Sequence, residues 1–175
     1  GLFMLSGTMV EAAATGNACV VLADFGRDPA KFDLARFARE APKLARADWL
    51  GATWPPTLVS RALWHQVGGY SVEFSPGMGS DNDFSMKLWQ AGCRVFLGVG
   101  DSLVYHFGET STRRIRKNDG RRQFLMKWGL TQSGFDRHYL RRGQPAGADP
   151  VLGEPEPSWG LRWQALKSGL RRRFF

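Results

Sequence analysis

Cysteine is scarce in this 175-residue chain, which has only Cys19 and Cys93, far apart in the sequence. A small domain held together by disulfides needs more cysteines than this, so the pattern favours reduced thiols in a cytosolic protein. Neither cysteine has a second cysteine or a histidine at zinc-finger spacing, which argues against a structural zinc site of that kind.

Long apolar runs are also lacking. No stretch approaches the ~20 consecutive apolar residues of a membrane-spanning helix, and no secretory signal pattern occurs. Hydrophobic residues nevertheless make up 43% of the chain, which is enough for the core of one domain with a tail. The sequence opens inside an apolar run, GLFMLSGTMV, without a methionine in front of it. We therefore expect the chain to be the C-terminal portion of a larger protein.

Acidic residues are outnumbered by basic ones, 16 to 24, and the formal net charge is +8. The basic residues are unevenly placed, with one block between residues 113 and 122 and another at 171–173. Such blocks suit nucleic acid, an anionic lipid surface or a phosphorylated small substrate equally well, so charge alone does not choose a partner.

The N-terminal half contains a strand signal and two helix signals. The run ACVVLADFG at 18–26 predicts a buried strand. A helix should begin at Asp28-Pro29, with proline in its first position, and end at Pro42. Ser60 is placed to cap a second helix, which Gly68-Gly69 should stop.

The most informative stretch runs from residue 75 to 108. A loop rich in Gly, Pro and Ser precedes a helix with Asp81 at the N-cap position and Gly92 as its terminator. Two short apolar strands, 95–97 and 103–105, then lead to a lone histidine, His106. We expect the loop, the carboxylate at the helix start and the histidine at the strand end to converge on one pocket.

Beyond this stretch, a helix is predicted from Asp119 to Gly129 and another from about Gln132 to Arg142. The segment 144–158 is rich in Pro, Gly and Ala and predicts a flexible linker. In the tail, 159–175, tryptophans and leucines recur at helical spacing among basic residues, a pattern typical of an amphipathic segment at a membrane surface.

Asp81 has two interpretations. As an N-cap its carboxylate would stabilise the helix by ~0.5–2 kcal/mol and do nothing else. If it faces a cleft, the same carboxylate can take a proton from a hydroxyl that attacks a substrate. Asp83 lies about 200° further around the helix, so the two carboxylates should not share one role. Asp83 is then expected to be a structural partner for backbone or basic groups.

Three other features each have a structural and a functional interpretation. His106 is either a hydrogen-bonded residue at a strand end or a ligand for a divalent metal with carboxylates beside it. The arginines that follow, Arg113 and Arg114 among them, form either a solvated surface or a grip for a diphosphate. Trp54, next to Pro55-Pro56, is either a core residue or a platform for a sugar ring.

The run from Trp49 to Arg114 resembles the C-terminal half of the catalytic domain of family 2 glycosyltransferases, which have the GT-A fold. The elements that match are, in chain order, W-x-G-A at 49–52, a short helix containing Arg61, V-G-G-Y at 67–70, G-x-D-x-D-F at 79–84, K-L-x-x-x-G at 87–92 and a strand ending at His106. Each motif is weak alone, and their order and spacing together make the resemblance specific.

The resemblance implies an α/β fold: a partial GT-A-like mixed sheet with flanking helices, over residues 1–143, and a helical C-terminal extension. By it, Asp81 is the general base of an inverting transfer and His106 is a ligand of Mg²⁺ or Mn²⁺. Arg113 and Arg114 would fold over the diphosphate of a nucleotide-sugar donor. A saccharide or another hydroxyl compound would be the acceptor. The residues expected to contact it are Asp83, Trp54 and Ser80.

The chain departs from the family pattern in two places. Ser80 stands where the family often has a glutamate, so acceptor contacts should differ. The nucleotide-binding half of the family, with its D-x-D metal motif, has no counterpart, since Asp24 and Asp28 do not match that motif. We therefore expect no transferase activity from this chain alone. The expected location is the cytoplasm, at the inner face of the membrane.

The alternative function is a non-catalytic basic module that binds anionic membrane or nucleic acid. It depends on the net charge of +8 and on the basic tail. The basic residues do not form one continuous stripe, and no nucleic-acid-binding motif occurs, so nucleic acid is not an expected partner. Contact of the tail with an anionic membrane is compatible with both functions.

Overall fold

The computed structural model describes residues 1–76, 78–108, 118–157 and 159–173. These residues form an α/β structure with a mixed five-stranded sheet and flanking helices, as predicted. The strands are β1 (Phe3–Glu11), β2 (Val21–Leu22), β3 (Trp49–Leu50), β4 (Thr57–Val59) and β5 (Val95–Tyr105).

The α-helices are α1 (Leu34–Glu40), α2 (Arg61–Val67), α3 (Ser80–Gln90), α4 (Gly120–Trp128), α5 (Gln132–Gly134) and α6 (Trp159–Arg173). The short α5 continues directly into a π-helical turn, Phe135–Tyr139. Three 3₁₀ turns complete the helical structure, at Pro29–Lys31, Ala41–Leu44 and Val72–Phe74.

The centre of the sheet is the parallel pair β1 and β5, whose register runs from Phe3 opposite Val95 to Val10 opposite Tyr105. The other edge of β1 is shared by β4, which is antiparallel, and β2, which is parallel. Strand β3 pairs antiparallel with β5 and lies at the end of the sheet. Because β1 and β5 are parallel, their C-terminal ends lie at the same edge.

Strand β5 is longer than predicted. The two expected strands, 95–97 and 103–105, are parts of one continuous strand, and the register with β1 shifts between Gly7 and Thr8. At Gly98 the Trp49 indole lies directly against the backbone of β5. A Cβ at this position would stand 1.9 Å from the ring. The close approach is a tertiary contact that the local sequence does not reveal.

The predicted buried strand at 18–26 is wrong in length and burial. Only the two residues of β2 pair with β1 there, and Leu22 is 61% exposed. The long buried strand of this half is β1 instead, in which Met4 and Val10 are fully buried.

Helix ends agree with the sequence where local capping chemistry sets them. The Ser60 hydroxyl accepts a hydrogen bond from the Leu63 N–H at the start of α2, and Gly68 ends this helix in the left-handed conformation. Asp119 and Gly129 bound α4 in the same way, so both helices are confirmed.

Two other predicted helices are broken. The helix expected from Asp28-Pro29 is a 3₁₀ turn capped by Asp28, followed by α1, which Asp33 caps. Because each aspartate accepts hydrogen bonds from the N–H groups that follow it, the chain begins a helix twice. The helix predicted over 132–142 is the combination of α5 and the π-helical turn, and it ends at Tyr139.

The first part of the predicted flexible linker, 144–158, is packed against the sheet. Pro145 bridges to Trp49, Val151 bridges to Val95, and the Leu152 N–H donates to the Arg94 carbonyl at 2.8 Å. Leu152 is 1% exposed and belongs to the main core cluster. Backbone pairing and side-chain burial therefore hold this segment in place up to Leu152, contrary to the expectation from its composition.

Cys19 and Cys93 are both buried and unpaired, as expected for reduced thiols. Across the described ranges, no helix combines the length and the apolar content that a membrane span requires.

Candidate functional site

The start of α3 does not use Asp81 as its cap. Gly79, in the left-handed conformation with φ of 87°, is the N-cap residue, and no side chain caps the helix. Asp81 is the second helical residue, and the N-cap interpretation of its carboxylate is therefore wrong. Its carboxylate instead accepts a hydrogen bond from the Tyr70 hydroxyl and lies within the electrostatic influence of Arg142.

The environment of Asp81 favours a carboxylate that can accept a proton. The residue is half-buried, and burial raises its pKa, although the Tyr70 hydrogen bond and the Arg142 charge act in the opposite direction. Burial and the neighbouring carboxylate charge raise the pKa of Tyr70 to about 12, so this hydroxyl remains a donor. A carboxyl with a raised pKa is a stronger base than one at its ordinary value.

Asp83 is inside the protein. It is 0% exposed, and its carboxylate accepts hydrogen bonds from the Ser71 hydroxyl at 2.6 Å and the Trp128 indole N–H at 2.8 Å. The Lys127 ammonium lies 2.9 Å away and forms a salt bridge with it. These contacts tie α3 to α4, as expected for a structural partner. They leave the carboxylate no exposed surface for contact with an acceptor, so the placement disfavours the acceptor-binding role.

A cleft of about 790 Å³ opens between α3, α4 and the α5 region. Asn82, the residue after Asp81, lines it, and Asp81 itself is not one of its lining residues. Inside it, the Asn82 amide donates to Asp136 at 2.9 Å, and the Arg142 guanidinium forms a 2.8 Å salt bridge with the same carboxylate. Burial raises the pKa of Asp136 to about 6 in spite of both partners. The residues that line the cleft are mostly polar: Asn82, Asp119, Arg121, Arg122, Leu125, Thr131, Gln132, Ser133, Asp136 and Arg142.

Arg142 connects this cleft to the segment after β3. Its guanidinium donates to the Gly51 carbonyl at 3.4 Å and to the Thr53 hydroxyl at 2.5 Å, and it lies 5.3 Å from the centre of the Trp54 ring. The sequence interpretation missed Arg142 and Asp136, which it placed in an ordinary helix. Asp136 pairs with Asn82, 54 residues away, and Arg142 with Thr53, 89 residues away, and local sequence carries no signal for such pairings.

Trp54 lies in a small core rather than on the surface. It is 9% exposed and stacks on Trp49, with ring centres 5.1 Å apart, in a cluster that includes Cys19 and Ala52. This placement favours the core interpretation over the sugar platform. Ser80, the first residue of α3, is half-buried at the same helix start as Asp81.

His106 forms a close pair with a residue that the sequence interpretation missed. Its Nδ1 lies 2.6 Å from Oε1 of Glu11, at the edge where β1 and β5 end. A carboxylate only accepts, so Nδ1 carries the proton and the neutral ring has its lone pair on Nε2. The pair lines a cavity of about 360 Å³, together with Gly26 and Arg27 among others.

This pair meets part of what a divalent metal requires. An imidazole nitrogen backed by a carboxylate is a common metal ligand, and a Mg²⁺ site at a phosphate needs only one or two protein ligands. The described part of the chain contains no group of three His, Cys, Asp or Glu side chains that could hold a metal ion. In this pair His106 would offer Nε2 as a ligand and Glu11 would orient the ring, which fits an ion whose remaining ligands are substrate phosphates and waters.

Asp81 and His106 are not seen in a common cavity. The cleft beside Asp81 and the cavity at His106 share no lining residue. Arg113 and Arg114, which the sequence places between His106 and α4, lie outside the described residues. The convergence of these side chains on one pocket stays a prediction.

Comparison of the chain with protein-family models, curated proteins and solved structures found no match. The functional interpretation therefore depends on two things: the order of motifs between Trp49 and Arg114, and the chemistry of the side chains around Asp81 and His106.

Proposed function

We propose that this chain supplies the acceptor side and the catalytic base of an inverting, metal-dependent glycosyltransferase with a GT-A-like fold. The enzyme would transfer a sugar from a nucleotide-sugar donor to a hydroxyl acceptor. The observation that carries this proposal is the state of Asp81, a half-buried carboxylate at the start of α3 that does not cap the helix. Burial raises its pKa, and two of its neighbours, Asn82 in the sequence and Arg142 in space, line a polar cleft.

In the proposed reaction, Asp81 accepts the proton of the acceptor hydroxyl as the hydroxyl oxygen attacks the anomeric carbon. The bond from that carbon to the donor diphosphate breaks, which inverts the configuration and releases the nucleoside diphosphate. The Tyr70 hydroxyl holds the carboxylate in position, and Arg142 stabilises its charged form. Acceptor-binding groups would come from the cleft residues Asn82 and Gln132.

The metal belongs to the donor side of this scheme. When bound, it would neutralise the charge that develops on the departing diphosphate. His106 would hold it through Nε2, and Glu11 would keep the ring in the required tautomer. Arg113 and Arg114 remain the proposed diphosphate contacts.

An Asp81→Asn substitution tests the proposal. In the full-length protein that the gene encodes, we expect turnover to fall by about 10²–10⁴-fold, because the amide that replaces the Asp81 carboxylate cannot accept the proton of the acceptor hydroxyl. The dissociation constant for the nucleotide-sugar should stay within about twofold, since Asp81 contacts the acceptor and not the donor. Release of nucleoside diphosphate and isothermal calorimetry measure the two quantities over a panel of donors.

The matched control is Asp101→Asn, which neutralises an exposed carboxylate on β5. It should leave turnover unchanged. A fully active Asp81→Asn enzyme would reject the base assignment. Absence of donor binding and turnover from every form of the protein would favour the non-catalytic alternative.

A further inference from the structure

Helix α6 has a continuous apolar stripe that no part of the described chain covers. Trp159, Trp163, Leu166 and Leu170 are 85%, 58%, 53% and 47% exposed. At 100° per residue, these four positions fall within an arc of about 60° on one side of the helix. Four large apolar side chains in one line on a surface are uncommon in a soluble protein without a partner.

The helix is attached to the body by the opposite side. α6 packs against α4, and Ser168, about 170° around the helix from the centre of the stripe, is 0% exposed. A surface helix ordinarily turns its apolar face to the core and its polar face to solvent. In α6 Ser168 faces the protein and the tryptophan–leucine stripe faces outward, so contacts within the described part of the chain do not account for the stripe.

The charge on α6 identifies the kind of partner. The helix contains five basic residues and no acidic residue. The Arg162 guanidinium lies 5.9 Å from the centre of the Trp159 ring, and the Lys167 ammonium lies 5.5 Å from the centre of the Trp163 ring. Cations beside indoles, above an aliphatic stripe, match the boundary between phosphate headgroups and acyl chains in an anionic bilayer.

We propose that α6 binds the surface of an anionic membrane, with its Trp and Leu side chains in the headgroup–acyl boundary and its basic side chains on lipid phosphates. A second copy of the chain fits less well, because two stripes packed together would bring five positive charges on each helix into proximity. A nucleic acid would use the charges but would leave Leu166 and Leu170 exposed to water.

Vesicle co-sedimentation of the full chain tests the proposal. We expect pelleting with vesicles that contain phosphatidylglycerol and little with pure phosphatidylcholine, because the basic residues need anionic headgroups. The emission of Trp159 and Trp163 should shift to the blue on binding. The double substitution Trp159→Ala and Trp163→Ala should lower the partition coefficient by about tenfold or more, since the stripe loses its two largest side chains.

Two further variants make the result specific. Val72→Ser removes an apolar side chain that is 85% exposed elsewhere on the surface, and it should bind vesicles like the unchanged chain. Arg162→Glu with Lys167→Glu should lose the preference for phosphatidylglycerol while the tryptophans remain. Circular dichroism confirms that each variant is folded, which is expected because all the altered side chains are exposed.

Three outcomes would overturn the proposal. Equal pelleting of the unchanged chain and the double tryptophan variant would show that the stripe does not contact lipid. Equal binding to both vesicle types would remove the electrostatic component. A dimer in sedimentation velocity that dissociates on loss of the two tryptophans, without vesicle binding, would assign the stripe to a second copy of the chain. The transfer chemistry proposed above does not depend on any of these results.

Discussion

At the residue scale, the two carboxylates at the start of α3 lie two residues apart and differ in their burial. Asp81 remains half-buried beside the cleft, whereas Asp83 is completely enclosed and bonded to Ser71, Lys127 and Trp128. A motif of the form D-x-D at a helix start therefore combines a partly exposed position with an enclosed one. The two residues should respond to substitution in different assays.

The first prediction concerns Asp83. Replacing it with alanine leaves the Ser71 hydroxyl and the half-buried Trp128 N–H without this acceptor, and we expect the free energy of unfolding to fall by about 1–3 kcal/mol. Lys127 keeps its salt bridge to Glu73. Urea denaturation measures this change. Asp101→Ala, at an exposed site, should change it by less than about 0.5 kcal/mol. A loss below about 1 kcal/mol in Asp83→Ala would show that the buried contacts do not stabilise the fold.

The second prediction concerns the pH dependence of stability. Burial raises the pKa of Asp136 from an ordinary value of 3.8 to about 6 in the folded protein. The folded state therefore holds this proton more tightly than the unfolded state, and the contribution of Asp136 to stability falls as the pH rises from about 4 to about 6. Replacing the Asp136 carboxyl with a group that does not titrate should therefore reduce the loss of stability between about pH 4 and about pH 6.

Asp136→Asn tests this directly. Urea denaturation at pH 4 and at pH 6 should show a loss of stability that is smaller by roughly 2 kcal/mol than in the unchanged chain, because only part of the linkage from the raised pKa is expressed within that interval. Asp101→Asn should leave the pH profile unchanged. The same slope in Asp136→Asn and the unchanged chain would mean that the carboxyl titrates near its ordinary value, with the Arg142 salt bridge outweighing burial.

The third prediction concerns the tautomer of His106. Glu11 accepts a hydrogen bond from the Nδ1–H, so the neutral ring should be protonated at Nδ1 and unprotonated at Nε2. In Glu11→Ala this preference should be lost. Long-range ¹H–¹⁵N spectra of the imidazoles measure the tautomer, and His65 and His138 serve as internal controls in the same sample. An unchanged tautomer in Glu11→Ala would show that Glu11 does not position the ring.

At the scale of the element, local chemistry made part of the fold predictable. Ser60, Gly68, Asp119 and Gly129 bound their helices as expected, because capping depends on residues three or four apart. The continuous β5 was not predictable, since the strand is paired from Val95 to Tyr105 with β1, which is distant in the sequence. Local sequence rules predict the secondary structure that a segment prefers, whereas the extent of the strands depends on pairing between distant segments.

In the candidate site, too, local sequence predicted some features and contacts between distant segments determined the others. The positions of Asp81 and His106 relative to a helix start and a strand end were predictable from spacing. Their partners Tyr70, Arg142 and Glu11 were not, because each comes from a different part of the chain and meets its partner only in the folded sheet. Parallel pairing of β1 with β5 was the one piece of information that would have identified Glu11.

The fourth prediction concerns the segment that composition described as a flexible linker. Leu152 is 1% exposed within the main core, whereas its neighbour Val151 is 53% exposed. Leu152→Ala should lower the free energy of unfolding by about 2–5 kcal/mol, while Val151→Ala should change it by less than about 1 kcal/mol. Urea denaturation compares the two. Equal, small effects would mean that the segment does not hold its place on the sheet in solution.

At the scale of the whole molecule, α4 connects the two regions to which functions are proposed. Its Arg121 and Arg122 line the cleft beside α3, and α6 packs against the same helix. Three basic residues, Arg121, Arg122 and Arg142, thus line a candidate ligand cleft, and five lie on a helix with an outward apolar stripe. These are places where charge can act on a partner, and neither lies in the core.

The last prediction follows from this distribution of charge. Salt screens interactions between exposed charges, and most of the described ion pairs, such as Arg27–Asp24 and Lys31–Asp28, are on the surface, where each contributes little. Raising the salt concentration should therefore change the free energy of unfolding by less than about 1 kcal/mol. Binding to vesicles with phosphatidylglycerol should fall by about tenfold or more, because every basic residue of α6 loses attraction to the headgroups. Parallel urea denaturation and vesicle sedimentation at the same salt concentrations separate the two effects. Vesicle binding that salt leaves unchanged would mean that the apolar stripe acts alone. A large loss of stability would show that exposed ion pairs, which salt screens, contribute substantially to the fold.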